Sequence, residues 1–400
     1  MAFLVSPGVQ VNEVDLTNVV PAVATSIGAI AGAFEKGPVS SIVNISSEEE
    51  LVEIFGKPKT TGNQFETFFS AANFLKYTDS LKVVRAESAI VNAGANSGIL
   101  IRDLDHYDAS FSTGQGSHGE WAARTAGTWA NGIKVEICAE ASAFEQDLST
   151  NNLVNTSTSA VGDTSIVVDD ADASGYAFNV GDLISFYSDT ANTTAVDDFN
   201  EYQVTAINTS TNALTVRLKD DPAGAGLQTA IPNDSKIKRR WKYADLFQGA
   251  PGTSDYNTNN GRGSNDELHV VVADADGLIT GFDTDTAGNR TKAVIETFGN
   301  MSKNSSAKSP QGDSIYYPDV IRAKSSFIYW TDHISAGSNW GTDTTSTYTG
   351  VVPITIDTLT GGTDDYSTTA GEIEVAYDKF KDTESEDINL VIGGSSSIVA

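Results

Sequence analysis

The segment Met1 to Asp15 constrains this chain most. Phe3, Val5, Val9 and Val11 occupy odd positions, with Ser6, Gly8, Gln10 and Asn12 between them. Such alternation marks a β-strand with one buried face, because successive side chains leave a strand on opposite sides. No hairpin turn follows, and the next segment changes pattern, so the strand arrives without a partner of its own. A lone terminal strand must find a sheet edge. Two destinations are open: an edge in its own domain, or the edge of another copy, which would make the chain a building block for a polymer. Pro7-Gly8 interrupts the strand and lets such an arm bend.

A chain of 400 residues has room for roughly two to four domains, each with its own core. There are 25 Lys and Arg against 53 Asp and Glu, a formal net charge of -28. A surface of that sign repels phosphate backbones, which argues against direct nucleic-acid binding. Charged residues make up 20% and hydrophobic residues 40%, a globular rather than a disordered balance. Cys138 is the only cysteine, so an internal disulfide and cysteine-based zinc sites are excluded. One thiol does not fix the redox compartment. Phe3-Leu4-Val5 is too short for a signal core and has no basic flank. The apolar stretch Val19 to Phe34 is broken by Pro21, Thr25 and Ser26 and is too short to span a bilayer. The simplest expectation is a soluble protein made in a cytoplasm, with no membrane insertion.

Local patterns divide the chain into a terminal arm (1–18), a first α/β segment (19–87), a β-rich insertion (88–240) and a second α/β segment (241–400). In the first, Ala24 to Phe34 reads as a closely packed buried strand. A helix capped by Ser47, with Glu50 three residues on, is stopped by Gly56 and Pro58. A second helix carries Phe65, Phe68, Phe69, Ala72 and Leu75 on one stripe, and Leu81 to Ala86 is a strand. The insertion offers short strands at Gly132–Ile137, Thr164–Val168, Leu183–Tyr187, Tyr202–Asn208 and Ala213–Leu218, the pattern of a sandwich or barrel. In the last segment Glu267–Ala273 is a strand, and Asp276-Gly277 is a turn that Leu278–Phe282 can answer as a hairpin. Val351–Ile356 is a strand, Thr369 and Glu372 form a capping box, and Ile388–Ile392 is a buried strand. The fold class is α+β and multidomain: a mixed α/β core interrupted by a β-rich inserted domain.

Residues that could carry chemistry are few. His106, His118, His269 and His333 show no zinc-helix spacing. Asp332-His333 beside Tyr329-Trp330 lacks a nucleophile motif and reads as a structural aromatic segment. Asp274, Asp276 and Gly277 begin like a calcium loop, but Leu278-Ile279-Thr280 supplies none of its later ligands. Thr360-Gly361-Gly362-Thr363-Asp364-Asp365 has no lysine after its glycines and reads as a strand-to-helix turn rather than a phosphate loop. No cofactor or metal is expected. Lys236, Lys238, Arg239, Arg240 and Lys242 crowd five cations into seven positions of an acidic chain. That cluster is a solvated strand face or, more sharply, an electrostatic contact with an acidic neighbouring copy; nucleic-acid binding ranks third, given the surrounding negative charge.

Several segments together resemble the contractile tail sheath proteins of myoviruses. They are Ser6-Pro7-Gly8-Val9 with Glu13, Gly37-Pro38, Leu51 to Pro58, Ala72 to Tyr77 with Leu81 to Ala86, and Gly127 to Ile133. Asp266 to Val272, Tyr329 to His333 and Leu359 to Asp364 continue the order. Residues 150–235 match nothing in that family, which suggests a decoration. The resemblance implies a non-enzymatic virion protein assembled in the host cytoplasm. It implies hexameric rings stacked around a tail tube, contacts with baseplate and tail-terminator proteins, and contraction that drives the tube through the host envelope. Phe3, Val5, Val9 and Val11 would then be the inter-subunit strand donor. Family members continue into a C-terminal domain that accepts such strands, so the chain is expected to be a truncated form. The rival readings are a baseplate or adhesin component and, less simply, a glycan-active enzyme.

Overall fold

The computed structural model describes residues 27–156, 159–221, 223–281, 283–284, 290–291, 293–352 and 354–395. The arm 1–18 and its expected strand lie outside them. The chain divides into two compact units, one holding Ser40–Ala86 with the flanking segments up to Phe34 and from Tyr366, the other Glu35–Val39 and Glu87–Asp365.

The first unit is built on a four-stranded sheet in the order Leu390–Ile392, Gly28–Gly32, Leu81–Arg85, Ile42–Ile45. Gly28–Gly32 runs parallel to both neighbours, and only Ile42–Ile45 is antiparallel. Small residues in the central strand have a direct cause. A Cβ on Gly28 would lie 2.4 Å from the Phe74 ring, and one on Gly32 would lie 2.8 Å from Thr67 Cγ2. Their absence lets the helix Gln64–Leu75 close onto the strand. On that face Ile30, Leu81 and Val83 pack with Phe55 and Phe68. On the other, Ala29, Ala31 and Val84 meet Ile373, Ala376 and Phe380, from the helix Ala370–Tyr377 and the turn after it. Ser47 caps the helix Glu48–Phe55 by accepting the Glu50 N–H at 3.1 Å. The Glu50 carboxylate reaches back one residue further than expected, to the Ser46 N–H at 2.8 Å and hydroxyl at 2.7 Å. Those bonds hold its pKa below the usual carboxylate range. The capping box of Thr369 and Glu372 forms as the sequence predicts.

Two expectations shift here. Phe69 is 47% exposed, because the buried arc of its helix runs through Gln64, Thr67, Phe68, Ala71 and Ala72 and the next residue rotates past it. The strand expected to be buried at Ile388–Ile392 is Leu390–Ile392, an edge strand with Leu390 47% and Val391 61% exposed.

The second unit contains an antiparallel sheet in the order Ala293–Ser302, Glu267–Asp274, Ile133–Cys138, Thr355–Thr358. Leu268, Val270 and Val272 join Ile133, Val135 and Ile137 in a core with Trp121, Tyr317, Trp330 and Trp340. Val271 and Cys138 face the opposite side with Trp241. Burial on both faces explains the near-continuous apolar run at 268–273. Pairing of His269–Asp274 with Ile133–Cys138 also moves a boundary. Residues 241–365 fold with 87–144, so the chain returns to the first unit at Tyr366 rather than at 241.

Residues 145–240 form a six-stranded antiparallel sheet in the order Glu145–Asp147, Lys236–Arg240, Leu183–Tyr187, Tyr202–Asn208, Ala213–Leu218, Ser165–Val167. The segment around Val154 joins its two edges. The Val154 N–H donates to Ser235 O at 3.1 Å, the Asn155 N–H to Val167 O at 2.8 Å, and the Asp169 N–H to Leu153 O at 2.9 Å. The sheet thus curls into a small barrel around Ile166, Ile184, Phe186, Tyr202, Val204, Leu214 and Ile237.

Two local expectations in the last segment also change. The expected strand Val351–Ile356 appears as Thr355–Thr358. Among the described residues no returning strand forms at 278–281: Asp274 instead accepts the N–H groups of Gly277, Ile279 and Thr280 at 2.8–3.0 Å and the Thr280 hydroxyl, winding the chain into a carboxylate-centred loop.

Candidate functional site

The sequence assigns assembly to two sets of residues. The first, Phe3, Val5, Val9 and Val11, lies outside the described residues. The second lies on the strand Lys236–Arg240 and just beyond it. Alternation turns Ile237 and Arg239 inward and Lys236, Lys238 and Arg240 outward.

Each cation in the run has a partner in its own chain. Lys236 Nζ donates to the Asp234 carbonyl at 2.8 Å, and Lys238 pairs with Glu145 at 2.7 Å. The Arg240 fork donates to Glu201 at 2.7 and 2.9 Å and also meets Asp245, which takes Lys219 at 3.1 Å. These bonds raise the Arg240 pKa and lower that of Asp245. Arg239 is 2% exposed and donates to the carbonyls of Ser142, at 3.1 Å, and Ala177. Burial lowers its pKa while Asp182 opposes the shift. Lys242 reaches Glu136, a fully buried carboxylate that also accepts Trp241 Nε1 at 3.0 Å and lies 3.4 Å from Lys134 Nζ. The inward half of the run therefore fastens the barrel to the Ile133–Cys138 strand. Losing one member would leave a charge stranded away from water. Lys236 and Lys238 remain partly exposed.

The segments Gly127–Ile133 and Leu359–Asp364, far apart in sequence, clamp each other. The Asn131 amide donates to Gly362 O at 3.0 Å and accepts the Gly362 N–H at 2.8 Å. Asp364 accepts the Thr128 N–H at 2.9 Å. A Cβ on Gly362 would lie 2.5 Å from Gly127 O, so glycine is required by close approach rather than by phosphate. Residues 360–365 are thus a splint, not the expected strand-to-helix turn.

The histidines are held structurally. His333 Nδ1 meets the Tyr317 hydroxyl at 2.5 Å and Nε2 the Tyr316 hydroxyl at 3.3 Å, and burial lowers its pKa. His269 Nδ1 accepts the Asn300 N–H at 3.0 Å, so Nε2 carries a proton toward Gly249 O at 2.9 Å, and burial lowers the ring's pKa. His118 Nδ1 meets Ser97 Oγ at 3.0 Å, and His106 accepts the Arg102 N–H at 3.2 Å. Lys303, fully buried, donates to the carbonyls of Ala139, Asn265 and Glu267 at 2.6–2.8 Å, and burial draws its pKa down to about 8. With all three protons engaged it serves as a strand tie rather than a nucleophile. Among the described residues no group of three His, Cys, Asp or Glu side chains is arranged to hold a metal, and no helix is long and apolar enough to cross a membrane.

Sequence reasoning missed the inward-facing ions. Glu136 and Lys242 lie 106 positions apart and meet only through the tertiary fold. The one local signal was the alternation of Ile237 with charged neighbours, which placed Arg239 on the buried side.

Comparison with known proteins fits the sequence resemblance. Residues 25–86, which contain most of the first unit's sheet and two of its helices, match the family model for the tail sheath protein Gp18 domain III N-terminal region. A tail sheath protein of Vibrio phage KVP40 is 37% identical over 115 residues, covering 25% of this chain and 16% of that protein. A tail sheath protein of Enterobacteria phage T4 is 35% identical over 103 residues, covering 26% of this chain and 15% of that protein. The chain therefore spans under a fifth of the length of the curated relatives it matches. A crystal structure of a sheath tail protein from Listeria innocua aligns over 92% of this chain and 40% of that one, at 9% identity and a TM-score of 0.31, too low to bear on the fold.

Proposed function

We propose that this chain is a structural subunit of a contractile phage tail sheath. The carrying observation is the match of residues 25–86 to a sheath domain, supported by 35–37% identity to sheath proteins of two phages. On this reading the subunits form stacked hexameric rings around a tail tube, between baseplate and tail-terminator proteins, and shorten to drive the tube through the host envelope. The chain acts as a virion component with no catalytic step. Contraction is a rigid-body switch between two packings of the same subunits.

Linkage falls to the N-terminal strand. Roughly five backbone hydrogen bonds at about 1 kcal/mol each would hold neighbours together while their bodies rotate. Residues 150–235 are a decoration, a reading supported by the separate core to which most of their apolar side chains belong. Any electrostatic contact between copies rests on Lys236 and Lys238, the two cations of the run that are neither buried nor tied into the Glu136 and Glu201 networks.

Deleting residues 1–15 tests the reading. The expected product is a folded, soluble protein that forms no tubes with its tail tube partner by negative-stain microscopy. Intact tubes after the deletion would refute strand donation, and trimers or isolated particles from the full chain would refute the sheath assignment.

A further inference from the structure

A small cleft opens on the outward face of the barrel, and apart from Lys238 its lining plays no part in the sheath reading. Its volume is about 140 Å³. The floor is the strand Leu183–Tyr187, whose Ser185 Oγ and Tyr187 OH lie 3.4 Å apart and are both nearly buried. The walls are two ion pairs, Lys238 with Glu145 at 2.7 Å and Arg240 with Glu201 at 2.7 Å. Phe199 forms the rim, 64% exposed, with its ring 6.2 Å from that of Tyr187 and tilted 66° to it.

Phe199 has a backbone φ of +63°, following Asp198 at +44°. Bulky side chains rarely adopt the left-handed region, and holding one there costs roughly 1–3 kcal/mol. Such a conformation persists only where the surrounding structure holds it, and here it holds the ring in solvent beside a polar cleft.

The chemistry of the walls selects a ligand class. Two carboxylates and two cations cancel, so neither an anion nor a cation gains from entering. The Arg240 fork is taken up by Glu201 and Asp245, but the Glu145 carboxylate, the Lys238 ammonium and two hydroxyls together offer donors and acceptors in several directions. An aromatic face at the rim suits the C–H face of a saturated ring. A neutral, polyhydroxylated ring of one-sugar size meets all three conditions. We propose that this cleft binds a single neutral pyranose, with Phe199 stacked on the ring and the Ser185 and Tyr187 hydroxyls bonded to its substituents. The sugar can be free or the terminal residue of a polysaccharide, and this proposal stands whether or not the chain forms a sheath.

The test uses the full chain and a panel of methyl pyranosides (glucoside, galactoside, mannoside, rhamnoside and N-acetylglucosaminide), read by saturation-transfer NMR and titration calorimetry. At least one glycoside should bind saturably. Phe199→Gly should weaken that binding about tenfold or more through loss of the stacked ring. The same variant should raise the melting temperature, because glycine accepts the left-handed backbone without strain. Tyr187→Phe should also weaken binding with little change in melting temperature. Tighter binding of an oligosaccharide ending in the same sugar would identify a polysaccharide source, and equal binding the free sugar. Absence of saturable binding across the panel, or binding unchanged in Phe199→Gly, overturns the proposal. So does a Phe199→Gly variant that loses self-association instead, since the cleft would then be a contact between copies.

Discussion

The sheet of the first unit and the barrel of residues 145–240 bury β-structure in opposite ways. The sheet gathers strands from three distant stretches, Gly28–Gly32, Leu81–Arg85 and Leu390–Ile392, and covers its two faces with helices. Its centre depends on missing side chains at Gly28 and Gly32. The barrel comes from one continuous run, closes on itself around a single core, and is fastened to the neighbouring strand through buried ions. A sheet built on close backbone approach tolerates few substitutions. Away from its buried ions, a barrel built on inward apolar residues and polar turns tolerates more. The family match lies in residues 25–86, within the first unit.

Substitutions can break or sharpen this comparison. Phe68→Ala, which empties the helix side of the first sheet, should cost about 3–5 kcal/mol. Hydrogen exchange should show faster amides at Gly28–Gly32 and Leu81–Arg85 and unchanged ones at Leu183–Tyr187. Equal acceleration in both places would mean that the two regions do not behave separately. Glu136→Gln removes the buried carboxylate charge that Lys242 pairs with and should cost about 3–5 kcal/mol. Glu136→Leu combined with Lys242→Met should recover most of that loss in denaturant midpoint, because the apolar pair avoids the desolvation of both ions.

Gly28→Ala forces a Cβ against Phe74 and should cost about 1–3 kcal/mol. Gly175→Ala in the barrel meets no atom within 4 Å and suffers only from its φ of +77°, a penalty of about 1 kcal/mol. Comparable melting temperatures for the two variants would contradict the close-approach argument. The smallest effect is in pH. Burial pushes Asp182 up to about 6, with Arg239 opposing the shift. Its folded pKa therefore lies above the unfolded value. The protonated acid favours the fold, and that contribution is lost as pH rises from about 4 through 6. Asp182→Asn keeps an acceptor for the Asn179 N–H and should flatten the fall in barrel stability across this window, measured by urea midpoints at intervals of pH.

How much of this was legible in the sequence depends on range. Caps and short strands were readable because they depend on neighbours: Ser47, the Thr369 and Glu372 box, and the strands at 183–187, 202–208 and 213–218 all stand where their residues indicate. Features set by distant contacts were not. Phe69 looked like part of a stripe until the helix found which arc faced the sheet. Leu390 and Val391 looked buried because an edge strand carries the same residues as a central one. Asp276-Gly277 signalled a hairpin, yet the Asp274 carboxylate organised a loop and the strand Ala293–Ser302 became the partner. The basic run was visible as charge, but its division into inward ties and outward pairs was set by Glu136 and Glu201 from elsewhere in the chain.

The most direct test of the account is an electron cryo-microscopy reconstruction of intact tails that traces the polypeptide from Met1. The account predicts tubes of this subunit in which Val5 to Val11 of one copy lies as a strand against a sheet of a neighbouring copy. A reconstruction in which that segment completes a sheet of its own chain, with nothing crossing between copies, would contradict it.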